Sequence, residues 1–593
     1  IILARLEQLP PPPPDPLEMA AAPGRDFPVD LLENIATFDP LPALNLLLQR
    51  QFLVELESGR LGFSHRLVQE VIYTRLSPLV RRRLHQRVAD ALIARHGQQA
   101  GPQAAAIADH SFMAGPACYP QAVAFAVRAG DHAMRAFGFE EAAQHYRHAL
   151  DIAADLPPSP PLESHIRQAY QGLGLAQESL AAWEDARQTY EEWQRWAQTH
   201  HHPELALMAQ HKLASMLGLI GQIDQSAAIS ARISRRLPPD TPPALADAQR
   251  RLERLISHRV NPPAWTSAGW PLFTPQPVRL VRPWEEIAAV LGEEQAIQTL
   301  NLYGWALTLQ GNLDAAEATL HYAGRLAEGY GQAGLQATSL HLLAQLWDLR
   351  GDYTAMADAL EEALSLVERM PPMRWAVLWG LIHQAYVDLR WNRLERAERR
   401  LLRLQEELAG RNALCSHQLS VTVGLGLLAM FRQNLEEAAR HFDAALSNAG
   451  NLYASNYVVV YLSRARIHRK YGRLEEAQEA IMHAMTFAGE RGMLADYISA
   501  VVEAARFDRA TDQPQHVIPL LQQAEAMASQ AGMLPARLST RQALFRVFRH
   551  LRAADEAAWY RRLARADRDA IAATIPAPAD RAAYLARHDF ESL

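Results

Sequence analysis

The chain has 593 residues, with 59 Lys and Arg against 65 Asp and Glu for a net charge of −6, a balance that argues against a general nucleic-acid binder. Its two cysteines, Cys118 and Cys415, lie far apart and make neither a disulfide framework nor a metal cluster, which fits a reducing cytosol. No apolar run reaches the 18 residues of a membrane-spanning helix. The length exceeds what one ordinary core can serve, whereas a repeat array escapes that limit by growing in one dimension.

Residues 1–100 are not repetitive. A helix over Ile1–Leu9 is stopped by the proline run Pro10–Pro14. A short helix over Pro16–Ala22 and a Pro23-Gly24 turn follow. Asp30-Leu31-Leu32 opens a further helix, and Leu41–Gln51 gives another with Leu44, Leu47 and Leu48 on one side. Phe52–Leu56 and Leu61–Ser64 read as two strands joined by a Ser58-Gly59 turn. Helices followed by such a hairpin predict a small winged-helix domain. Leu67–Leu76 and Pro78–Arg95 then continue as helices.

From about residue 101 the pattern changes to helical pairs. A small residue near the start of each second helix recurs at Ala142, Ala186, Ser226, Ala316, Met356, Ala397, Ala438, Ala477, Val517 and Ala557. Most intervals are close to 40, and turn residues such as Gly311-Asn312, Gly351-Asp352 and Gly472 precede the second helices. Large residues alternate with small ones at offsets of 3 and 4, as closely packed antiparallel helices require. Gly-Leu-Gly at 172–174 and 424–426 are packing glycines, since neither follows a strand. The predicted fold is all-α: a right-handed α-solenoid with a pitch near 40, preceded by the winged helix. Repeats fill 101–237 and 291–593, and the copies around Pro514, Val517 and Ala557 look degraded. Between them, 238–290 is a Pro- and Trp-rich insert or joint. Its Trp265 and Trp270 either fill a helix groove or contact a ligand.

Phe139-Glu140-Glu141-Ala142, Leu435-Glu436-Glu437-Ala438 and Leu474-Glu475-Glu476-Ala477 resemble tetratricopeptide repeats, in the longer form found in sensor domains of bacterial transcriptional activators of the maltose-regulator type. Phe63-Ser64-His65-Arg66-Leu67, Glu70-Val71, Tyr73, Leu76, Arg83-Leu84-His85 and Val88-Ala89 resemble the segment after the ATPase core in bacterial STAND regulators, the signal-transduction ATPases with numerous domains. In their layout an effector and a P-loop ATPase module precede the winged helix and the repeats. The resemblance implies a regulatory part whose ATP or ADP and magnesium are bound by an upstream module. It also implies that His65, and with it Arg66, contacts the nucleotide from the winged helix; the plainer reading makes His65 a cap on the following helix.

This chain contains no Gly-rich loop ending in Gly-Lys-Ser/Thr, so it is not expected to hydrolyse ATP by itself or to hold a cofactor. It opens at Ile1 rather than Met, and an upstream extension is expected. Arg81-Arg82-Arg83 reads as a solvated or interdomain face, and His200-His201-His202 as a turn before Pro203. No metal site is expected. A small inducer or a protein partner is expected on the inner surface of the solenoid, where Trp347, Trp375, Trp379, Tyr386, Arg464 and His468 are candidates by phase. The alternative is a non-enzymatic scaffold for protein partners.

Overall fold

The computed structural model describes residues 15–22, 24–36, 38–56, 59–97, 101–136, 138–180, 182–219, 223–236, 293–368, 375–409, 415–510 and 514–588. The helix expected over Ile1–Leu9, and the insert with Trp265 and Trp270, lie outside these residues. The chain divides into two compact units, 1–193 and 194–593.

The first unit opens with α1 (Asp15–Ala21), β1 (Asp26–Pro28), α2 (Val29–Ile35), α3 (Leu41–Gln49), β2 (Leu53–Leu56) and β3 (Arg60–Phe63). The strands form an antiparallel sheet in the order β1-β3-β2. Strand β1 was not anticipated. Asp26-Phe27-Pro28 is too short to alternate, and it pairs only because Phe27 is fully buried against Phe63, ring centroids 6.3 Å apart. Two helices follow, α4 (Arg66–Arg75) and α5 (Pro78–His96). Ser77 caps α5 through Val80 N–H, and Pro78 stands at its first position, where no donor is needed. Gln69 of α4 ties back to the Ala21 carbonyl at 2.9 Å, and Arg95 of α5 pairs with Asp30 of α2 at 2.5 Å.

The helical pairs begin behind this module with α6 (Ala104–Ala114), α7 (Tyr119–Arg135), α8 (Phe139–Ala153), α9 (Pro160–Ser179) and α10 (Trp183–Thr199). A polar chain joins α4, α5 and α6. The Tyr73 hydroxyl lies 2.7 Å from His85 Nε2, and His85 Nδ1 lies 2.8 Å from His110 Nδ1. One facing Nδ1 must donate and the other accept, so the two rings cannot both be protonated there. Burial pushes both imidazoles down to about 4, helped at His110 by its neighbour His85.

The alternation of large and small residues has a direct cause. In α8 and α10 a large side chain of the second helix seats on a glycine of a first helix. Tyr146 of α8 lies against Gly130 of α7 and Gly172 of α9, and Tyr190 of α10 against Gly174 of α9. The Tyr146 hydroxyl then donates to Asp131 at 2.6 Å, and that of Tyr190 to Glu178 at 2.6 Å.

The second unit contains α11 (Pro203–Leu219), α12 (Ile223–Arg236), α13 (Glu293–Leu309), α14 (Leu313–Gly329), α15 (Ala333–Arg350), α16 (Tyr353–Glu368), α17 (Trp375–Arg390) and α18 (Leu394–Leu408). It continues with α19 (Cys415–Phe431), α20 (Leu435–Leu446), α21 (Ala454–Lys470), α22 (Leu474–Arg491), α23 (Leu494–Ala510), α24 (Ile518–Gln530), α25 (Leu534–His550), α26 (Ala554–Ala573) and α27 (Pro578–Arg587). The same seating recurs, with Leu320 on Gly304, Leu360 on Gly380, Leu401 on Gly424 and Phe442 on Gly426. Left-handed residues at Gly311, Gly351, Asn392, Gln433, Gly472 and Arg552 end the first helices. Consecutive first helices also pack on one another, from α13 through α15, α17, α19, α21 and α23 to α25. The last copies are better formed than the sequence led us to expect. First helices α21, α23 and α25 start at 454, 494 and 534, each has 17 residues, and only the short 3-10 turn Pro514–Val517 departs from the pattern.

This unit also closes on itself. Thr574, after α26, donates to the Gly351 carbonyl at 2.8 Å and accepts from Tyr353 N–H at 3.2 Å, while Thr354 donates to the Thr574 carbonyl at 2.7 Å. Arg393 pairs with Asp580 of α27 at 2.5 Å, and Arg587 lies 4.6 Å over the Phe431 ring. Tyr353, Trp391 and Tyr584 fill the seam between them.

Two outcomes test these contacts. Gly174→Ala places a Cβ 2.3 Å from the buried Tyr190 ring, so it should cost about 1–3 kcal/mol in urea unfolding. The depressed His85 and His110 contribute stability that is fully present above pH 6.5 and lost as pH falls toward 4. Amide exchange in α4–α6 should therefore speed up between pH 7 and 5 beyond its intrinsic pH dependence, and His110→Gln should remove on the order of 1–2 kcal/mol of that loss.

Candidate functional site

His65 stands at the junction of β3 and α4. Its backbone is extended, and its Nδ1 accepts from Leu67 N–H at 3.2 Å, which caps α4. The ring is exposed, as are Ser64, Arg66 and Leu67. Arg66 is held by Glu70 one turn along at 2.7 Å. The exposed face thus presents one imidazole and one guanidinium, and the cap fixes the direction of the imidazole. Arg81, by contrast, serves the fold: it donates to the Thr74 carbonyl and covers the Tyr73 ring. An open cavity of about 770 Å³ lies between α2 and α5, lined by Asp30, Asn34, Arg87, Asp90 and Arg95 among others.

On the first helices of the second unit, two of the six solenoid candidates, Trp379 and Tyr386, meet residues of the next first helix, α19. Trp379 of α17 lies 4.1 Å from Tyr453 and 6.1 Å from His417 of α19, centroid to centroid. Near them, the Tyr386 hydroxyl donates to the Ser420 carbonyl at 2.6 Å, and Asn456 donates to Ser420 Oγ at 2.6 Å. Burial raises Tyr386 and Tyr453 well above the ordinary phenol value and pushes His417 down to about 4, so all three are neutral. Trp347 sits apart, half-buried between two core clusters with Arg350 5.2 Å over its ring. Trp375 begins α17, and its side chain lies outside the described residues. Arg464 and His468 share one face of α21. Arg464 is 3.9 Å from Asp443, and burial, Arg473 and Arg464 lower His468. His200–His202 form the expected turn, with Trp196 stacked on His200 and His202. Among the described residues no group of three His, Cys, Asp or Glu could hold a metal ion.

Sequence reasoning missed the charges buried in the second unit. Asp348 of α15 takes Arg390 at 2.5 Å and His383 at 3.1 Å from α17. Burial opposes its charge, and Arg390 first, then His383, overcome it and hold the carboxyl below the usual range. Asp388 takes Arg393 at 3.1 Å and Arg400 at 3.2 Å, and Asp567 takes Arg537 and Arg541 at 2.7 and 2.8 Å. Glu503 of α23 is fully buried and collects Arg466 and Arg506 at 2.7 Å and Arg469 at 3.4 Å. Burial again opposes the charge, and Arg466 and Arg506 bring the carboxyl down to about 2. Several of these pairs span 30 to 42 positions, so only the repeat register reveals them.

No family model matches the chain. An uncharacterised protein of Rhizobium meliloti (strain 1021) is 31% identical over 134 residues, 22% of this chain, and the match spans 13% of that relative's length. Among solved structures, the chain is similar to a Rap protein complexed with competence and sporulation factor, at 11% identity and a TM-score of 0.39 over 77% of this chain and 99% of that one. It is similar to a STAND protein with a tetratricopeptide repeat sensor from Pyrococcus horikoshii, at 12% identity and 0.39 over 73% and 63%. The Cut9–Hcn1 assembly gives 14% and 0.40 over 97% of each chain. Each unit of the chain carries successive antiparallel helix pairs, a helical-repeat architecture, and no described helix is long and apolar enough to cross a membrane.

The Glu503 cluster has a measurable weight. Stability from its depressed carboxyl is present above pH 4.5 and fades as pH falls toward 2. Glu503→Gln should cost about 2–4 kcal/mol at pH 7 by chemical denaturation, less than a sealed pair because its arginines still reach water.

Proposed function

We propose that this chain is the sensor and regulatory region of a signal-transducing ATPase of the STAND type. In this reading residues 15–97 are a winged helix that docks on an upstream nucleotide module, and the repeats receive an inducer or protein partner. The observation that carries the reading is the placement of His65. It projects, exposed, from the end of the hairpin on a helix it caps itself, where an imidazole can reach a phosphate oxygen of ADP held by another module. Ligand binding to the repeats then favours the form in which that contact is broken. The coupling equals the difference in ligand affinity between the two forms.

A second reading, a scaffold that recognises a protein partner and never touches nucleotide, draws on the apolar and aromatic group of Trp379, His417 and Tyr453 on the inner line. Such rigid aromatic anchors are what partner interfaces use.

One substitution separates them. His65→Asn keeps a capping oxygen and removes the reach of the imidazole. In the protein carrying the upstream module, the variant should melt as the wild type does and lose bound ADP at least about tenfold faster, the rate equivalent of one lost hydrogen bond to a charged group. Unchanged ADP release would reject the sensor reading and leave the scaffold.

A further inference from the structure

Helices α21, α23 and α25 share one register, because each starts 40 positions after the last and has the same length. Two columns of arginine follow from it. Arg466, Arg506 and Arg546 occupy one position of the three helices, and Arg469, Arg509 and Arg549 occupy the position one turn later. The helices pack side by side, so the columns form rungs from one first helix to the next.

The first rung is filled. Glu503 of α23 draws in Arg466 and Arg469 from α21 and Arg506 from its own helix, which shows that guanidiniums in this register converge on a single oxyanion. The second rung, between α23 and α25, repeats the arginine positions without a carboxylate at the place that corresponds to Glu503. The residue at the position of Glu503 in α25 is Ala543. Arg509 and Arg546, both half-buried, make no ion pair and no hydrogen bond with any described residue, while Arg549 lies 5.4 Å over the Phe545 ring. The other carboxylates nearby are Asp508, buried on α23, and Asp567, which is taken by Arg537 and Arg541. His588, just after α27, lies close enough to Arg546 to feel its charge.

We propose that the groove between α23 and α25 binds the oxyanion group of an external small-molecule ligand, a phosphate or a carboxylate, held by Arg509 and Arg546 in the place that Glu503 fills one repeat earlier. Partly buried guanidiniums without a counter-ion repel one another and lose hydration, and an anion from solution relieves both costs. Their present state reflects that strain. Burial first, then Arg506, Arg509 and Arg549, push Arg546 down to about 10, and Arg509 is lowered in the same way. Arginine in place of lysine on every rung suits forked recognition of planar or tetrahedral oxyanions. The site owes nothing to the nucleotide reading of His65 and stands if that reading falls.

The test is thermal unfolding and calorimetric titration of this chain with inorganic phosphate and with citrate, against potassium chloride at equal ionic strength. The wild type should be stabilised by phosphate, citrate or both beyond the chloride control. Response to one alone assigns the phosphate or the carboxylate class. Arg546→Gln and Arg509→Gln should each weaken that binding at least about tenfold, the equivalent of one lost charge-assisted hydrogen bond. In anion-free buffer both should melt no lower than the wild type, because each relieves repulsion; a residue kept for packing would lower the melting point. Ala543→Glu, which builds the missing carboxylate into the chain, should abolish the anion response. No stabilisation beyond chloride, or an undiminished response in both arginine variants, overturns the site.

Discussion

The seating of one large side chain on one glycine sets the helix separation in the pairs that carry it. Tyr146 on Gly130 and Gly172, Leu320 on Gly304 and Phe442 on Gly426 bring paired helices to a separation that a Cβ would prevent. Close pairing leaves the first helices free to touch one another in succession, and each rung of the inner face inherits its geometry from that contact. Where first helices have equal length and spacing, as in α21, α23 and α25, like residues fall into columns. The charged architecture is therefore a by-product of apolar packing, selected afterwards by which residues stand at the columned positions.

The inner face uses this in two ways. Around Trp379, Tyr386 and Tyr453 it is aromatic and neutral, because burial holds the phenols protonated and His417 uncharged. Around Asp348 and Glu503 it is ionic, with single buried carboxylates each drawing two or more basic partners from first helices. Such clusters add little net stability beyond what apolar packing would give, but they are costly to break. Their value lies in fixing which helix faces which.

Much of this was legible in the sequence. The pitch, the turns and the packing glycines announce themselves as a recurring contrast of large and small residues, and the positions taken as second-helix anchors fall in or beside second helices. The hairpin was legible because Phe52–Leu56 and Leu61–Ser64 flank a turn. Strand β1 was not, since three residues carry no period and Phe27 declares itself only through Phe63. Arg464 and His468 were singled out for a ligand, whereas Arg466 and Arg469 are the residues that meet Glu503 from the next helix. Adjacent positions on a helix point in different directions, so residues one or two apart serve different neighbours. Some carboxylate partners were hidden for a different reason: Asp348–Arg390, Glu503–Arg466 and Asp567–Arg537 span 30 to 42 positions, and no local window contains both members.

An open solenoid tolerates a gained or lost repeat, because each unit answers only to its neighbours. Here Thr574 must meet Gly351 and Tyr353, contacts 220 positions apart and more, and Asp580 must meet Arg393. The curvature of the intervening helices determines where the far end arrives. Removing or adding one pair would carry Thr574 past its partner by a whole repeat, leaving Trp391 and Tyr353 facing solvent. The clasp thus acts as a length gauge. It fixes the number of repeats between 351 and 574, and it makes that stretch melt as one cooperative body instead of fraying unit by unit from an end.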